Sequence, residues 1–246
     1  MPKPKLIDVY ELPEISNVCN QVLREVISLP KVSLAYVTMG KGNVSLWHQH
    51  SRMAEVYFIL KGEGILYYGN QALQAENGAY LVLPPNTPHK LKNVGTSTLE
   101  HLVFASPPFD PTDVEILDDV SKDEPILKRF SYGKQPITAL DGALIQELMD
   151  AEERKSLDVA LAIGFLSPKR RAIPHYHQIS EEIYYTIKGN GRVKVGEQTF
   201  GVKDGSVVYV PINQVHALEN ESDSEELKVL CLSSPSYTEC DFLKVS

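Results

Sequence analysis

The chain has 246 residues, 43% of them hydrophobic and 23% charged, so it can bury a sizeable core and is neither disordered nor fibrous. Its net charge of −8 argues against a protein that follows the phosphate backbone of a nucleic acid. The N-terminal residues lack the apolar run of a signal peptide, and no segment is long and apolar enough to span a membrane, so we expect a cytoplasmic protein with neither a nucleic-acid nor a membrane partner.

The predicted elements are short strands separated by turns. The segment from Ile15 to Ile27 fits either an amphipathic helix or a strand, and both remain open. Strand patterns follow over 33–38, 55–60, 65–68 and 80–83, with turn signals such as Gly62–Gly64 and Asn77-Gly78 between them. Strands this short and closely spaced predict an all-β sandwich or barrel.

The chain contains an internal repeat. WHQHSRMAEVYFILKGEG starts at Trp47 and PHYHQISEEIYYTIKGNG starts at Pro174, an offset of 127 residues (174 − 47). The same offset relates further residues downstream without a gap, as far as Pro108 and Pro235. Matches this numerous in one register indicate a tandem duplication.

The repeat sets the expected domain boundaries. Residues 107–135 are rich in Pro and Asp and lack strand alternation, which predicts a linker with a helical turn near Val114 to Val120. We expect a first barrel with its leading segment over 1–108, a linker over 109–135 and a second barrel over 136–246. Cys19, Cys231 and Cys240 form no CxxC pair and are expected to be reduced thiols.

Six of the seven histidines fall at paired positions of the repeat. On a strand, residues i and i+2 point to the same face, so each HxH sequence directs two imidazoles to one side of a sheet. A glutamate follows on the next strand and a third histidine on a later one. The candidate ligands are His48, His50, Glu55 and His89 in the first half and His175, His177, Glu182 and His216 in the second. The seventh histidine, His101, aligns with Lys228 at this offset and is interpreted as an ordinary surface or strand residue.

This set of side chains predicts a metal site in each half. Three neutral imidazole nitrogens and one carboxylate oxygen suit a divalent Fe, Mn, Ni or Zn ion. Four protein ligands on an octahedral ion leave two positions for substrate, water or oxygen. The alternative, that these are packed core or surface histidines, does not explain why the same set occurs twice at one offset.

The chain resembles the cupin superfamily, and specifically the two-domain bicupins with an RmlC-like jelly roll. The first family motif, G(x)5HxH(x)3-4E(x)6G, is met in full in the first half, whereas Lys169 replaces its opening glycine in the second. The second motif, G(x)5PxG(x)2H(x)3N, is met in both halves except that Asn86 and Asn213 replace the glycine of PxG. Asparagine tolerates the left-handed conformation, so we expect these turns to be kept. The residues that fit are Gly42, His48, His50, Glu55, Gly62, Gly78, Pro84, His89 and Asn93, then His175, His177, Glu182, Gly189, Gly205, Pro211, His216 and Asn220.

The resemblance implies an all-β fold of two tandem cupin barrels, also called double-stranded β-helix or jelly-roll barrels. It implies one divalent metal ion in each barrel, and the motifs are specific to the superfamily but not to a reaction. In the family such sites catalyse oxygen-dependent reactions or non-redox isomerase and lyase reactions.

The two halves differ in residues expected to meet a substrate. Counting in twos along the strand from the first histidine leads to Val44 in one half and Arg171 in the other, and Arg171 could hold a carboxylate or phosphate. The alternative is that 169–171 form a solvated loop. Counting forward from the glutamates leads to Tyr57 and Tyr184, candidate catalytic proton donors, whose alternative role is core packing with a satisfied hydroxyl.

An apolar outer face is expected at Ile65 and Tyr67, where the second half has Arg192 and Lys194. This face would suit contact between the halves or with a second copy in a homo-oligomer, and single exposed apolar residues are the plainer alternative.

The function predicted from the sequence is a metal-dependent bicupin enzyme acting on a small, oxygen-rich, anionic molecule. The leading hypothesis is a dioxygenase-like oxidoreductase. The alternatives are a sugar or keto-acid isomerase, epimerase or lyase that uses the metal as a Lewis acid, and a non-catalytic cupin that binds a metal or metabolite.

Overall fold

The computed structural model describes residues 3–119, 127–129 and 134–245. Strands dominate it, which confirms the all-β prediction, and it divides into two compact units. One unit, the N-terminal barrel, is Leu12–Tyr132, and the other, the C-terminal barrel, combines Met1–Glu11 with Gly133–Ser246. Each unit contains two sheets, the arrangement of a jelly roll.

The first strand of the chain, β1 (Lys5–Asp8), belongs to the C-terminal barrel. The N-terminal barrel has one sheet in the order β2-β3-β4-β11-β6-β9 and another in the order β12-β5-β10-β7-β8-β13. Its strands are β2 (Ile15–Ser16), β3 (Val22–Ser28), β4 (Ser33–Met39), β5 (His48–His50), β6 (Ala54–Lys61), β7 (Glu63–Tyr68), β8 (Gln71–Glu76), β9 (Tyr80–Leu83), β10 (His89–Asn93), β11 (Leu99–Ser106), β12 (Val114–Ile116) and β13 (Leu127–Arg129).

The C-terminal barrel has one sheet in the order β1-β21-β18-β23-β16-β15-β14 and another in the order β20-β19-β22-β17-β24. Its remaining strands are β14 (Ile137–Thr138), β15 (Leu144–Glu147), β16 (Ala160–Leu166), β17 (His175–Tyr176), β18 (Glu181–Lys188), β19 (Gly191–Val195), β20 (Gln198–Val202), β21 (Ser206–Val210), β22 (His216–Asn220), β23 (Leu227–Ser234) and β24 (Leu243–Lys244). Helix α1 (Ala151–Leu157) joins β15 to β16 and begins with a capping box between Asp150 and Glu153. No helix in the described ranges could cross a membrane.

The leading strand lies outside the barrel that its position in the sequence suggested. The expected boundaries, 1–108, place β1 in the first barrel. Instead, β1 pairs antiparallel with β21 of the C-terminal barrel. Ile7 and Val9 are buried there, and the N–H of Val9 donates to the carbonyl of Gly205 at 3.1 Å. Burial of these apolar side chains against β21 accounts for the placement.

Two further segments take a definite form in the structure. For the segment Ile15 to Ile27 the sequence allowed either a helix or a strand. The segment forms β2 and β3, which pair with each other. The helical turn expected near Val114 to Val120 is a 3-10 turn over Pro111–Asp113, which ends just before Val114. From Val114 the chain forms β12, which pairs with β5, and Val120 lies outside the described residues. Without β12, that side of β5 would expose unpaired backbone groups.

The repeat changes register after β10 and β22. Ala105 lies opposite Glu55, and Ser233 lies opposite Glu182, so the offset there is 128 residues (233 − 105). The turn after β22 is one residue longer than the turn after β10. The counterpart of His101 is therefore Val229 and not Lys228, which corrects the ungapped alignment.

His101 is a buried residue of the barrel interior rather than a surface residue. Its ring centroid lies 5.2 Å from that of Tyr57. Neither ring nitrogen has a hydrogen-bond partner, and burial lowers the pKa of His101 to about 3, so the ring is neutral at neutral pH.

The expected outer apolar face is covered within the N-terminal barrel. Tyr67 is buried in a cluster with Trp47 and Ala72, and Ile65 and Leu117 pack against that cluster. Leu117 follows β12, so the segment taken for a linker supplies this cover. The face is therefore not left free for a second copy of the chain.

Candidate metal centres and adjoining cavity

The four candidate ligands of the N-terminal barrel come together in its interior. His48 on β5 lies directly opposite His89 on β10, and their ring centroids are 4.2 Å apart. Glu55 on β6 reaches the same point, with its Oε2 3.1 Å from Nε2 of His89 and 3.4 Å from Nε2 of His50. One potential ligand atom from each residue lies within 4.8 Å of the others, and all four residues are buried.

The C-terminal barrel repeats this cluster with nearly the same dimensions. His175 on β17 lies opposite His216 on β22, and their ring centroids are also 4.2 Å apart. Oε2 of Glu182 lies 2.9 Å from Nε2 of His216 and 3.7 Å from Nε2 of His177. The duplication predicted from the sequence thus brings together a second set of ligand atoms within 4.8 Å of one another.

Backbone contacts orient the imidazoles for metal binding. The Nδ1 atoms of His48, His89, His175, His177 and His216 lie 2.8–2.9 Å from backbone carbonyl oxygens. Because a carbonyl can only accept, the proton is on Nδ1 and the Nε2 lone pair faces the cluster. Nε2 of His50 and Nε2 of His177 are buried without a hydrogen-bond partner. Buried acceptors of this kind fit a bound divalent cation.

The electrostatics of the clusters favour an ionised glutamate and differ from one histidine to the next. Burial and the neighbouring His89 lower the pKa of His48 to about 4, and burial and His216 lower the pKa of His175 to about 4. Burial alone would raise the pKa of Glu55, but the adjacent imidazoles of His50 and His89 hold it well below its usual range. At neutral pH the carboxylate is thus ionised and His48 and His175 are neutral. The adjacent glutamate raises the pKa of His50 and of His216 despite their burial, so a metal ion would compete with protons for those two rings.

An aspartate that the sequence argument missed holds the ligand loop in each barrel. The Asp113 carboxylate accepts from the backbone N–H groups of Ser51, Arg52 and Met53 at 3.0–3.2 Å. These three residues connect the HxH strand to the glutamate strand.

In the C-terminal barrel, Asp241 accepts from the equivalent N–H groups of Gln178, Ile179 and Ser180 at 2.8–3.0 Å. The two aspartates are 128 residues apart (241 − 113), so an alignment allowing one gap could have found them.

The departures from the family motifs preserve the backbone shape. Asn86 and Asn213 have φ of 60°, and their N–H groups donate to the carbonyls of His50 and His177 at 2.6 Å. Both turns therefore survive the replacement of glycine, as expected. Lys169 has φ of 58°, so it takes the left-handed conformation that suits the glycine of the motif.

The two tyrosines proposed from the sequence reach the carboxylate ligands. The Tyr184 hydroxyl donates to Oε2 of Glu182 at 2.9 Å, and the Tyr57 hydroxyl hydrogen-bonds Glu55. The Cys231 thiol lies 3.3 Å from Oε1 of Glu182. Burial and the nearby carboxylate raise the pKa of Tyr184 well above its usual value, so its phenol stays protonated.

A cavity of about 150 Å³ lies beside the C-terminal cluster. Most of its wall is apolar. Strands β15, β16 and β23 and the turn before β15 supply much of it, while candidate ligands of the cluster form another part. Phe242 stacks on His175 with ring centroids 4.4 Å apart. Other lining residues include Asp141, Ala143, Ile145, Glu147, Met149, Arg154, Gly164, Tyr184, Leu218, Val229, Cys231, Ser233 and Tyr237.

The structure places Arg171 away from this cavity. Its side chain is exposed, its backbone forms a bridge with Glu219, and it is not among the cavity-lining residues. Arg154 of α1 lines the cavity instead, where it donates to the carbonyl of Tyr237 and to Oε1 of Glu147. The segment that carries α1 is longer than its equivalent in the first half, so counting along the repeat could not reach Arg154.

Two jelly-roll barrels, each with three histidines and a glutamate gathered in its interior, define a bicupin with two candidate metal centres. The cupin domain model matches residues 35–104 and 164–233, together more than half of the chain. The chain belongs to the cupin family.

Related sequences carry little functional information. An uncharacterized protein of Methanocaldococcus jannaschii, MJ1618, is 36% identical over 88 residues, which is 36% of this chain and 70% of that protein. An uncharacterized protein of Streptomyces coelicolor, SCO3923, is 35% identical over 97 residues, which is 39% of this chain and 84% of that protein.

Solved structures support the two-barrel architecture. Oxalate decarboxylase from Bacillus subtilis at pH 4.6 superposes with a TM-score of 0.73 at 16% sequence identity, covering 95% of this chain and 77% of that one. A further structure of that enzyme, from work on its Mn(II) centres, superposes with a TM-score of 0.72 at 16% identity, covering 95% of this chain and 78% of that one. At this identity the likeness establishes the fold alone.

Proposed function

We propose that this bicupin is a metal-dependent oxidoreductase that acts on a small molecule in its C-terminal barrel. O2 is the oxidant and both of its atoms enter the substrate, so the reaction needs no external reductant. The observation that carries the proposal is the cavity of about 150 Å³ that opens onto His175, His177 and Glu182.

The cavity wall favours a substrate with an apolar body and few oxygen atoms. Apolar side chains such as Ile145, Met149 and Leu218 form much of the wall. A sugar would leave several hydroxyl groups without hydrogen-bond partners in such a cavity, which costs free energy for each group. The proposed substrate is therefore less polar than the oxygen-rich anion suggested by the sequence, and the cavity favours the oxidoreductase over a sugar isomerase.

Different side chains of the C-terminal barrel have different roles in the proposed reaction. A redox-active Fe or Mn ion bound by the cluster would supply electron transfer and coordination positions for oxygen donors. Tyr184 and Cys231 hold the Glu182 carboxylate in place. Tyr184 also keeps its proton, and on substrate binding its single O–H group would turn from Glu182 to donate to an oxygen of the substrate. Phe242 covers one face of His175 and excludes water there.

A lyase of the oxalate decarboxylase type is the second candidate, favoured by the structural likeness. Oxalate is a dianion and requires cationic partners. Arg154 lines the cavity, but it is already hydrogen-bonded to Tyr237 and Glu147. Apart from the metal ion itself, the cavity wall therefore offers little to neutralise a dianion, and we place oxalate second.

The test is oxygen uptake by the full chain loaded anaerobically with Fe(II) or Mn(II). Pentane-2,4-dione, a small enolisable diketone with two oxygen donors and an apolar body, is the first probe, and oxalate is the second. Consumption of one O2 for each diketone supports the oxidoreductase. Release of CO2 from oxalate without net O2 consumption would replace it with the lyase, and metal binding without turnover of either probe would favour a non-catalytic cupin.

A further inference from the structure

The two barrels carry different side chains at equivalent positions of their interior walls. Strand β4 lies between β3 and β11, and β16 takes the same place between β15 and β23. Val37 of β4 pairs with His101, and Gly164 of β16 pairs with Val229. Gly164 therefore occupies the position that Val37 holds in the N-terminal barrel.

The backbone conformation at position 164 does not require a glycine. Gly164 is not among the residues with positive φ, and a Cβ built on it would meet only the backbone oxygen of Val229, at 3.8 Å. Glycine inside a strand lowers stability because it has no side chain to pack and loses more conformational entropy on folding. Gly164 does line the cavity, so its missing side chain leaves space that the cavity uses.

The corresponding space in the N-terminal barrel is filled. Val37 is 1% exposed and packs in the interior core with Tyr57, which is 2% exposed. Their counterparts in the C-terminal barrel, Gly164 and Tyr184, are both partly exposed. His101 adds an imidazole beside Tyr57, where the C-terminal barrel has the smaller side chain of valine.

We propose that the C-terminal barrel alone admits a ligand of several atoms to its histidine–glutamate cluster, and that Gly164 is the residue that determines this difference. The N-terminal cluster, enclosed by Val37 and His101, is a site that retains its ion without taking a ligand from solvent. This inference rests on the proposed function in that both place the substrate in the C-terminal barrel. It does not depend on the substrate being oxidised.

A methionine in the interior of each barrel allows ligand binding to be followed separately in the two barrels by NMR. Met149 lines the cavity of the C-terminal barrel, and Met39 packs in the interior core of the N-terminal barrel. Full-length protein with ¹³C-labelled methionine methyl groups and loaded with redox-inert Zn(II) is titrated with pentane-2,4-dione. We expect saturable shifts of the Met149 methyl resonance and an unchanged Met39 resonance.

Two glycine variants make the test specific. Gly164→Val should weaken diketone binding at least tenfold, and Gly164→Ala should have a smaller effect, with the zinc content unchanged in both. Gly201→Val is the matched control, because Gly201 lies on β20 of the same barrel and does not line the cavity, and a Cβ added there would meet no atom within 4 Å. It should bind the diketone as the unmodified chain does.

Shifts of Met39, tight binding by Gly164→Val, or no diketone binding to the unmodified chain would each overturn the inference. These outcomes are independent of the proposed oxidation, since Zn(II) does not support it. Binding at Met149 without O2 consumption in the Fe or Mn protein would refute the proposed function and leave this inference standing.

Discussion

Nδ1 of His177 donates a hydrogen bond to the backbone carbonyl of Asp241 at 2.9 Å. The carboxylate of the same aspartate accepts from the three backbone N–H groups that follow His177. Asp241 thus fixes the ring of one candidate ligand and the loop that leads to Glu182. Contacts of this kind orient ligands before a metal arrives, and the same carboxylate clamp occurs at Asp113 in the other barrel.

Replacing Asp241 with alanine should weaken metal binding by the C-terminal cluster about 10- to 100-fold, the usual effect of losing such an orienting contact. The loop would lose three charge-assisted hydrogen bonds, so its histidine and glutamate would be less well placed. Competition with a chelator measures the affinity. Asp223→Ala, at an exposed carboxylate paired with Lys169, is the control and should bind metal normally. Equal affinities for the two variants would contradict the role of Asp241.

Asp113 should make the stability of the metal-free protein depend on pH. Burial would raise its pKa, but hydrogen bonds from Ser51, Met53 and Arg52 outweigh it and hold the pKa well below the usual value. A carboxyl group with a depressed pKa stabilises the fold above the unfolded value of about 3.9, and this contribution is lost as the pH falls through the folded value.

Asp113→Asn keeps the shape of the side chain but removes the charge. Urea unfolding should show it to be less stable by about 1.5–3 kcal/mol near neutral pH, with the difference shrinking towards acid pH. A difference that stays constant from neutral to strongly acid pH would rule out the carboxylate charge as the cause.

The full chain should bind two divalent metal ions, one at each cluster. Replacing both histidines of one HxH sequence with alanine, His48 with His50 or His175 with His177, should reduce the content to one ion. The variant with all four replacements should bind none, because two remaining ligands in a cluster are fewer than the three or four of known protein metal sites. Elemental analysis of protein purified without chelator gives the stoichiometry. The control is His101→Val, which introduces the side chain of its counterpart Val229 and should retain both ions. Retention of two ions by the variant with all four replacements would exclude these residues as ligands.

Tyr184→Phe should lower kcat tenfold or more without loss of metal, if the phenol donates to substrate as proposed. Tyr57→Phe is the matched variant of the other barrel and should leave kcat unchanged. The assay is steady-state O2 consumption with pentane-2,4-dione, together with metal analysis of both variants. Equal losses in the two variants would show that the tyrosines act only by supporting their glutamates.

Val9→Ala should destabilise the C-terminal barrel by about 2 kcal/mol, the loss expected when buried methyl groups are removed from a packed site. Val9 follows β1 and is 0% exposed. Leu6→Ala on the same strand is the control, because Leu6 is 40% exposed. Differential scanning calorimetry would resolve the change, and an unaltered transition in Val9→Ala would contradict the structural role of the leading strand.

The sequence predicted the two clusters of histidines and glutamate better than it predicted the residues around them. His48 and His175 could be matched because both follow a short-range pattern, HxH with a glutamate nearby, that the duplication preserves. Asp241 was missed because it lies after the turn where the two halves differ by one residue. Arg171 was chosen by strand alternation, yet it lies outside the cavity wall, because alternation specifies a face of a strand and not how far a cavity extends along it.

The sequence by itself determined the duplication, the all-β class and the two sets of three histidines and one glutamate, because each is encoded in residue types at fixed local spacing. Only the tertiary structure decided that β1 joins the C-terminal barrel, that His101 lies in the interior and that Gly164 borders a cavity. These features depend on contacts between residues far apart in the chain, and on how completely side chains fill the space between two sheets. Packing of that kind leaves no periodic trace in a single sequence.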